Sequence, residues 1–210
     1  MSLTLNLIVD PMCSWCWGFR SVWAAFSESL PEDVDVVDLM GGLAPDSDTP
    51  MDADTRAYVQ GAWHAVGKRT GAEFNFDFWK KATPRRSTYP ACRAVIAAGL
   101  QEVHARARMY DAIQTGFFLE ARNPSLTSEL EALAEQIGLD RECFANDLLS
   151  DKVDLRFQSE RETARRFGVT GFPTVIWCWQ AGDEPPRYGL LAAGYTDGAT
   201  LTRRWQELVG

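Results

Sequence analysis

The sequence predicts an α/β protein in which a βαβ unit and an αββα unit flank a long all-helical stretch. Three observations carry this. Residues 1–45 read strand–helix–strand. Residues 46–151 show helical patterns and no convincing strand. Residues 152–210 read helix–strand–strand–helix. The predicted division is therefore a core in two parts, 1–45 and 152–210, with a helical insertion over 46–151.

The apolar run Leu3–Val9 predicts the first strand. Trp15, Phe19, Val22, Trp23, Phe26 and Leu30 fall on one helical face, and Val34–Met40 gives a second strand ending at Gly41-Gly42. A strand, a crossover helix and a strand make a parallel unit. Ala44–Ala53 is a loop rich in Pro and Asp. The pattern then predicts a helix over Tyr89–Arg108, with Pro90 in its first turn, and a further helical run over Met109–Ala121, stopped by Asn123-Pro124. Leu126, Leu130, Leu133 and Ile137 form a short helix closed by Gly138, and Asp140 caps another that carries Phe144 and Leu148. Val153, Phe157, Ala164 and Phe167 predict a helix ending at Gly168. Thr174–Trp179 and Tyr188–Ala193, joined by a turn with Gly182-Asp183 and Pro185-Pro186, predict a hairpin. Asp197 starts a last helix with Leu201, Trp205 and Leu208 inward.

The chain has 210 residues, 46% of them apolar, and a net charge of −8. That length supports one core with an insertion. The acidic balance and scattered basic residues argue against nucleic acid and against an anionic membrane surface as partners. No apolar run approaches the roughly 20 residues of a membrane-spanning helix. The N-terminus shows no signal-peptide pattern, so the expected compartment is the cytoplasm, where a CxxC pair is catalytic or metal-binding more often than structural.

Cys13-Ser14-Trp15-Cys16 is that pair, and it sits at a strand-to-helix junction. The spacing lets the two sulfurs bond to each other. At a helix N-terminus, free N–H groups and the helix dipole favour a thiolate at Cys13. Cys16 turns toward Phe19 and Trp23, which suits a more protected, resolving thiol. The other cysteines read as packing residues: Cys92 on a helical stripe, Cys178 in a buried strand pattern, and Cys143 as core or half-buried beside Phe144. His64 and His104 stand apart from any nucleophile. Trp17 reads as packing, and Arg85-Arg86 as a solvated pair that can attract an anionic thiol.

The second marker is Gly171-Phe172-Pro173-Thr174. On spacing alone, Pro173 reads as a proline at a strand edge. Together with Asp10–Phe19, Gly41-Gly42-Leu43 and Pro90–Ala94, however, this phrase resembles the DsbA superfamily, and in particular its cytoplasmic FrnE-like branch of protein-disulfide isomerases. The resemblance runs over essentially the whole chain. It implies a thioredoxin-like fold with a large all-helical insertion domain, and a thiol–disulfide oxidoreductase or isomerase. It implies that Cys13 attacks, that Cys16 resolves, and that Pro173 is a cis-proline facing them. A cis Pro173 leaves the Phe172 backbone free to pair with an extended substrate. Trp15, between the cysteines, is a further substrate-contact candidate. Thr88 resembles a segment that faces the active site in related folds, and reads otherwise as a helix cap.

The resemblance implies no bound cofactor and no metal, with glutathione as a candidate co-substrate. The partners are proteins bearing disulfides or thiols. The exposed face of the insertion can serve a substrate or a second copy of the chain. Two features depart from the wider family. DsbA has a His between its cysteines, where this chain has Ser14-Trp15, so a less oxidising couple is expected. Thioredoxin's buried acid is matched by Leu7, leaving Asp10 and water as weak substitutes. Two rival readings remain. One is a glutathione-dependent enzyme of the kappa-class transferase or 2-hydroxychromene-2-carboxylate isomerase type. The other is a CxxC that holds a soft metal, for which a four-ligand zinc set is missing.

Overall fold

A computed structural model describes residues 2–182 and 184–210. The predicted turn residue Asp183 lies outside the described residues. The elements run β1 Ser2–Val9, α1 Ser14–Glu28, β2 Val34–Met40, α2 Ala53–Thr70, α3 Phe78–Lys81, α4 Tyr89–Gln101, α5 Ala105–Phe118, α6 Thr127–Gln136, α7 Arg141–Leu148, α8 Asp151–Arg166, β3 Thr174–Gln180, β4 Arg187–Ala193 and α9 Gly198–Val209. The strands form one sheet in the order β2-β1-β3-β4. β1 is parallel to β2 and antiparallel to β3, and β3 and β4 form the antiparallel hairpin. This is a thioredoxin-like α/β fold with its helical stretch between β2 and β3.

The pleat of β1 sorts its side chains. Leu5, Leu7 and Val9 enter the main core with Phe19 and Phe26 of α1 and with Ala91, Cys92 and Val95 of α4. Ile8 points the other way and joins Leu39, Ile176 and Ala164 of α8 in a smaller cluster. The aromatic residues of the helical stretch gather on Trp63 in α2. Phe74, Phe78, Trp79, Phe117 and Phe118 surround it with ring centroids 5.0–5.8 Å away. Trp17 of α1 stacks on Phe118 at 5.4 Å and donates its indole N–H to the Glu73 carbonyl at 3.0 Å. The aromatic cluster is thereby fastened to the helix that carries the CxxC.

The caps at Asp140 and Asp197 form: each carboxylate accepts the backbone N–H three residues on. Gly138 and Gly168 take left-handed backbone after their helices. The predicted helix Tyr89–Arg108 is in fact two. Glu102 is extended, Ala105 N–H bonds the Glu102 carbonyl, and Val103 is 84% exposed. The bend brings Arg106 close to Gly99. The following helix ends at Phe118 rather than Ala121, whose φ is +58°.

Cys143 is exposed, a correction to the core or half-buried position expected of it. Phe144 and Leu148 claim the inward face of α7, and the residue just before Phe144 is rotated off that face by the helical twist. Cys178 is half-buried rather than core, because β3 runs out beyond the helices after Ile176.

One buried ion cluster fixes α8 to the sheet. Glu160 is almost fully buried, accepting the Met40 N–H at 2.8 Å, Arg106 at 2.6 Å and Arg156 at 3.1 Å. Glu160→Ala leaves Arg106 facing an apolar hole and orphans the Met40 amide. Stability is expected to fall by about 3 kcal/mol, read from the denaturant midpoint at unchanged m-value.

Candidate active site

The turn between β1 and α1 positions the first sulfur. Cys13 N–H bonds the Asp10 carbonyl at 3.1 Å, and the Cys13 carbonyl accepts the Trp17 N–H at 3.0 Å, opening the first helical turn. Cys13 is thus the N-cap of α1, with extended backbone and no side-chain cap. Its Sγ stands 3.7 Å from the Phe172 carbonyl. The Phe172–Pro173 peptide is cis. Cys13 is 6% exposed and Cys16 3%, and both are free thiols.

The two thiols titrate apart. A hydrogen bond from the Cys16 thiol lowers the Cys13 pKa, aided by the N–H groups of Cys16 and Trp15, while burial and the charge of Asp10 oppose it. Burial pushes Cys16 well above an ordinary thiol, and its bond to Cys13 and the Cys13 charge add to this. One sulfur is therefore poised to be a thiolate, and its neighbour holds a proton.

Below the sulfurs lies Asp10, fully buried. Its Oδ1 accepts the Met12 N–H at 2.8 Å. Its Oδ2 accepts the Leu43 N–H at 2.6 Å, the Thr88 hydroxyl at 2.6 Å and the Cys92 thiol at 3.6 Å. Burial raises the Asp10 carboxyl against the pull of these bonds. Sequence reasoning ranked Asp10 as a weak substitute for a buried acid. Its position directly after the apolar run Leu7-Ile8-Val9 was the available signal, since a strand that carries a carboxylate into the core must satisfy it there.

Thr88 needs correction. It was expected to face substrate, but it is 3% exposed and its hydroxyl is spent inside the protein. Besides donating to Asp10, Oγ1 accepts the N–H groups of Leu43 and Ala44, both at 3.1 Å. Nor does its side chain cap α4. Cys92, read as a small packing residue, also belongs to this network, and burial with the nearby Asp10 charge holds its thiol well up. Trp15 is half-buried 6.2 Å from the Tyr195 ring, and Phe172 is half-buried beside Cys13. His64 stacks on Phe76, away from the thiols. Arg85 is not a free solvated cation but pairs with Asp48 at 2.7 Å.

On the other side of Cys16, a cleft of about 330 Å³ is lined by Cys16, Phe19, Asp38, Arg106 and Tyr110. Burial raises the Asp38 carboxyl, opposed by Arg106, and pushes Tyr110 well above an ordinary phenol. Among the described residues, no three His, Cys, Asp or Glu side chains come together as a metal site.

The profile of the thioredoxin family matches residues 7–197. The chain belongs to this family. Its fold is shared with solved disulfide oxidoreductases. A candidate protein disulfide isomerase from Nitrosomonas europaea superimposes with a TM-score of 0.85 at 28% identity, over all of both chains. The cytosolic disulfide reductase DsbM from Pseudomonas aeruginosa gives 0.76 at 26% identity over 98% of each chain, and it has also been solved with GSH. The ClpXP adapter protein SpxH of Halalkalibacterium halodurans is 22% identical over 99% of this chain, which spans 68% of that protein. The SpxH of Bacillus subtilis is 26% identical over 83% of this chain, and the aligned part is 58% of that protein. A 2-hydroxychromene-2-carboxylate isomerase shares the fold at 16% identity, with a TM-score of 0.62.

Alkylation should report the split between the thiols. In the folded protein, Cys13 is expected to react with iodoacetamide with a half-point below that of ordinary cysteine, while Cys16 stays unreacted. Asp10→Asn removes the charge that opposes the thiolate and lowers the Cys13 half-point further. The same variant turns one acceptor into a donor facing other donors, and is expected to cost about 1–3 kcal/mol of stability. Both effects are read from a pH series and an unfolding curve.

Proposed function

We propose that this chain is a thiol–disulfide oxidoreductase acting through Cys13 and Cys16. The observation that carries the reading is the placement of two free thiols at the start of α1, with Cys13 as its N-cap and its sulfur 3.7 Å from the Phe172 carbonyl. Likeness to the cytosolic reductase DsbM and to a candidate disulfide isomerase supports both the chemistry and a cytoplasmic setting.

In the proposed reaction, the Cys13 thiolate attacks one sulfur of a substrate disulfide. A new S–S bond joins Cys13 to the substrate, and the second substrate sulfur leaves as a thiolate. Cys16 then gives up its proton, to that thiolate or to water in the adjoining cleft, and attacks Cys13. The Cys13–Cys16 disulfide forms as the Cys13–substrate S–S bond breaks and the remaining substrate sulfur leaves as a thiolate, so the substrate has gained two electrons. Two molecules of a thiol such as glutathione restore the dithiol by the reverse exchange and leave as their disulfide. If a different substrate thiol resolves the mixed disulfide instead, the outcome is isomerisation. Loss of the Cys13 proton ends its contact with the Phe172 carbonyl and frees that oxygen to accept an N–H from an extended substrate. Protein disulfides and glutathione are the proposed substrates, and Trp15 and the Phe172 backbone the proposed contacts.

The glutathione-transferase reading would need only one of the two cysteines. The hydrogen bond by which Cys16 lowers the Cys13 pKa favours the dithiol reading. Cys13→Ser is expected to abolish turnover of a disulfide substrate. Cys16→Ser is expected to keep the first attack and accumulate a mixed disulfide, visible as a mass increase. Full exchange activity in Cys13→Ser would remove the reading, and glutathione transfer to an electrophile that survives Cys16→Ser would favour the rival. The couple should also lie below the roughly −120 mV of DsbA. No imidazolium stands between the cysteines, and the Asp10 charge works against the thiolate, so the reduced form is less stabilised.

A further inference from the structure

A groove of about 400 Å³ opens beside Phe172, between the Gly41–Leu43 loop and the last turns of α8. Its size is in the range of small-ligand clefts, roughly 300–1,000 Å³. One end is the same residue whose carbonyl touches Cys13. The loop is glycine because rings lie on it. A Cβ at Gly41 would overlap the Phe172 ring, and one at Gly42, where φ is +72°, would meet Tyr89 and Phe157 at 2.8 Å.

Those two rings hold a cation. The Arg161 guanidinium sits 4.4 Å from the Tyr89 ring centroid and 5.7 Å from that of Phe157. Neighbouring arginines of α8 are already committed: Arg156 to Glu160, Arg165 and Arg166 to Glu162. Among the described residues, no carboxylate pairs with Arg161 and none of its N–H groups is recorded in a hydrogen bond. Glu162 also lines the groove, ionised with its pKa lowered to about 2 by the hydrogen bonds of Arg165 and Arg166. Of the charged residues lining the groove, two arginines, Arg161 and Arg165, stand against one glutamate, which leaves it positive. A guanidinium stacked by its face presents its edge, and that edge matches a carboxylate.

We propose that this groove is a carboxylate subsite in which Arg161 binds an anionic group of a small thiol or disulfide of the glutathione type, whose sulfur reacts at Cys13. The inference rests on the redox reading of Cys13. The groove ends at Phe172, whose carbonyl stands 3.7 Å from the Cys13 sulfur, so a ligand joined at Cys13 would enter it past Phe172.

The test uses S-methylglutathione, which cannot form a disulfide, and its dimethyl ester, which lacks both carboxylates. Calorimetric titration of the full chain should show saturable binding of the acid, with the ester about tenfold weaker, the loss of one partly exposed charge-assisted bond. Arg161→Gln should bring the acid down to the level of the ester, and Arg161→Lys should fall between. Absence of saturable binding, equal binding of acid and ester to the wild type, or an acid-to-ester ratio unchanged by Arg161→Gln would overturn the proposal. An effect of Arg161→Gln confined to an acidic peptide disulfide would overturn it in favour of a peptide site. Should the variant fail to fold, the acid-to-ester comparison on the wild type decides alone. Because the probe is redox-inert, failure of the Cys13→Ser test leaves this result standing, and failure here leaves the redox reading standing.

Discussion

A carboxylate buried behind two thiols is the constraint around which this site is assembled. Burying an unpaired charge costs several kcal/mol, so Asp10 can stay inside only if its surroundings supply donors. The chain brings four from three places: Met12 from the turn that aims Cys13, Leu43 from the loop after β2, and Thr88 and Cys92 from the start of α4. The relative placement of these segments is therefore not free. Moving α4 away from β1 would strip the carboxylate of two donors at once. The helical stretch is thus part of the floor of the active site.

The same carboxylate sets the electrostatic tone of the dithiol. Its negative charge raises the pKa of Cys13 and Cys16 alike. The Cys13 pKa nevertheless falls, because donors close to its sulfur outweigh a charge one layer down. The first of these donors is the Cys16 thiol itself. In the proposed reaction, the proton on Cys16 that favours the Cys13 thiolate is also the proton Cys16 would lose to resolve. Attack would turn Cys13 into a neutral disulfide sulfur and remove the charge that holds the Cys16 pKa up.

Much of this was legible in the sequence, for physical reasons that differ by element. The strands and α1 have dense apolar patterns with clear breakers, and the caps at Asp140 and Asp197 are local chemistry, so they could be read directly. α2 could not be placed because only Trp63 and Val66 of its eighteen residues are buried in it, too few to show a period. The break at Glu102 depends on Arg106 reaching Glu160, a contact 54 residues long that no local window contains. Within the site, the CxxC and its helix position were plain. The role of Thr88 was not, because its hydroxyl serves three groups from distant segments. Arg161 gave no signal at all, one arginine among many on a charged helix.

What separates Arg161 from its neighbours is aromatic packing made possible by two glycines. Tyr89 and Phe157 can approach the Gly42 backbone only because no side chain stands there, and the guanidinium lies over them rather than turning along its own helix to Glu162. Phe172 uses Gly41 in the same way. The Gly-Gly pair after β2 therefore accommodates both the Phe172 ring and the aromatic pair that carries Arg161, two residues lining one groove. β2 in turn is held to α8 by the Glu160–Met40 bond, which sets how far the arginine stands from the loop. The buried cluster that stabilises the sheet thus also anchors the helix that carries the arginine.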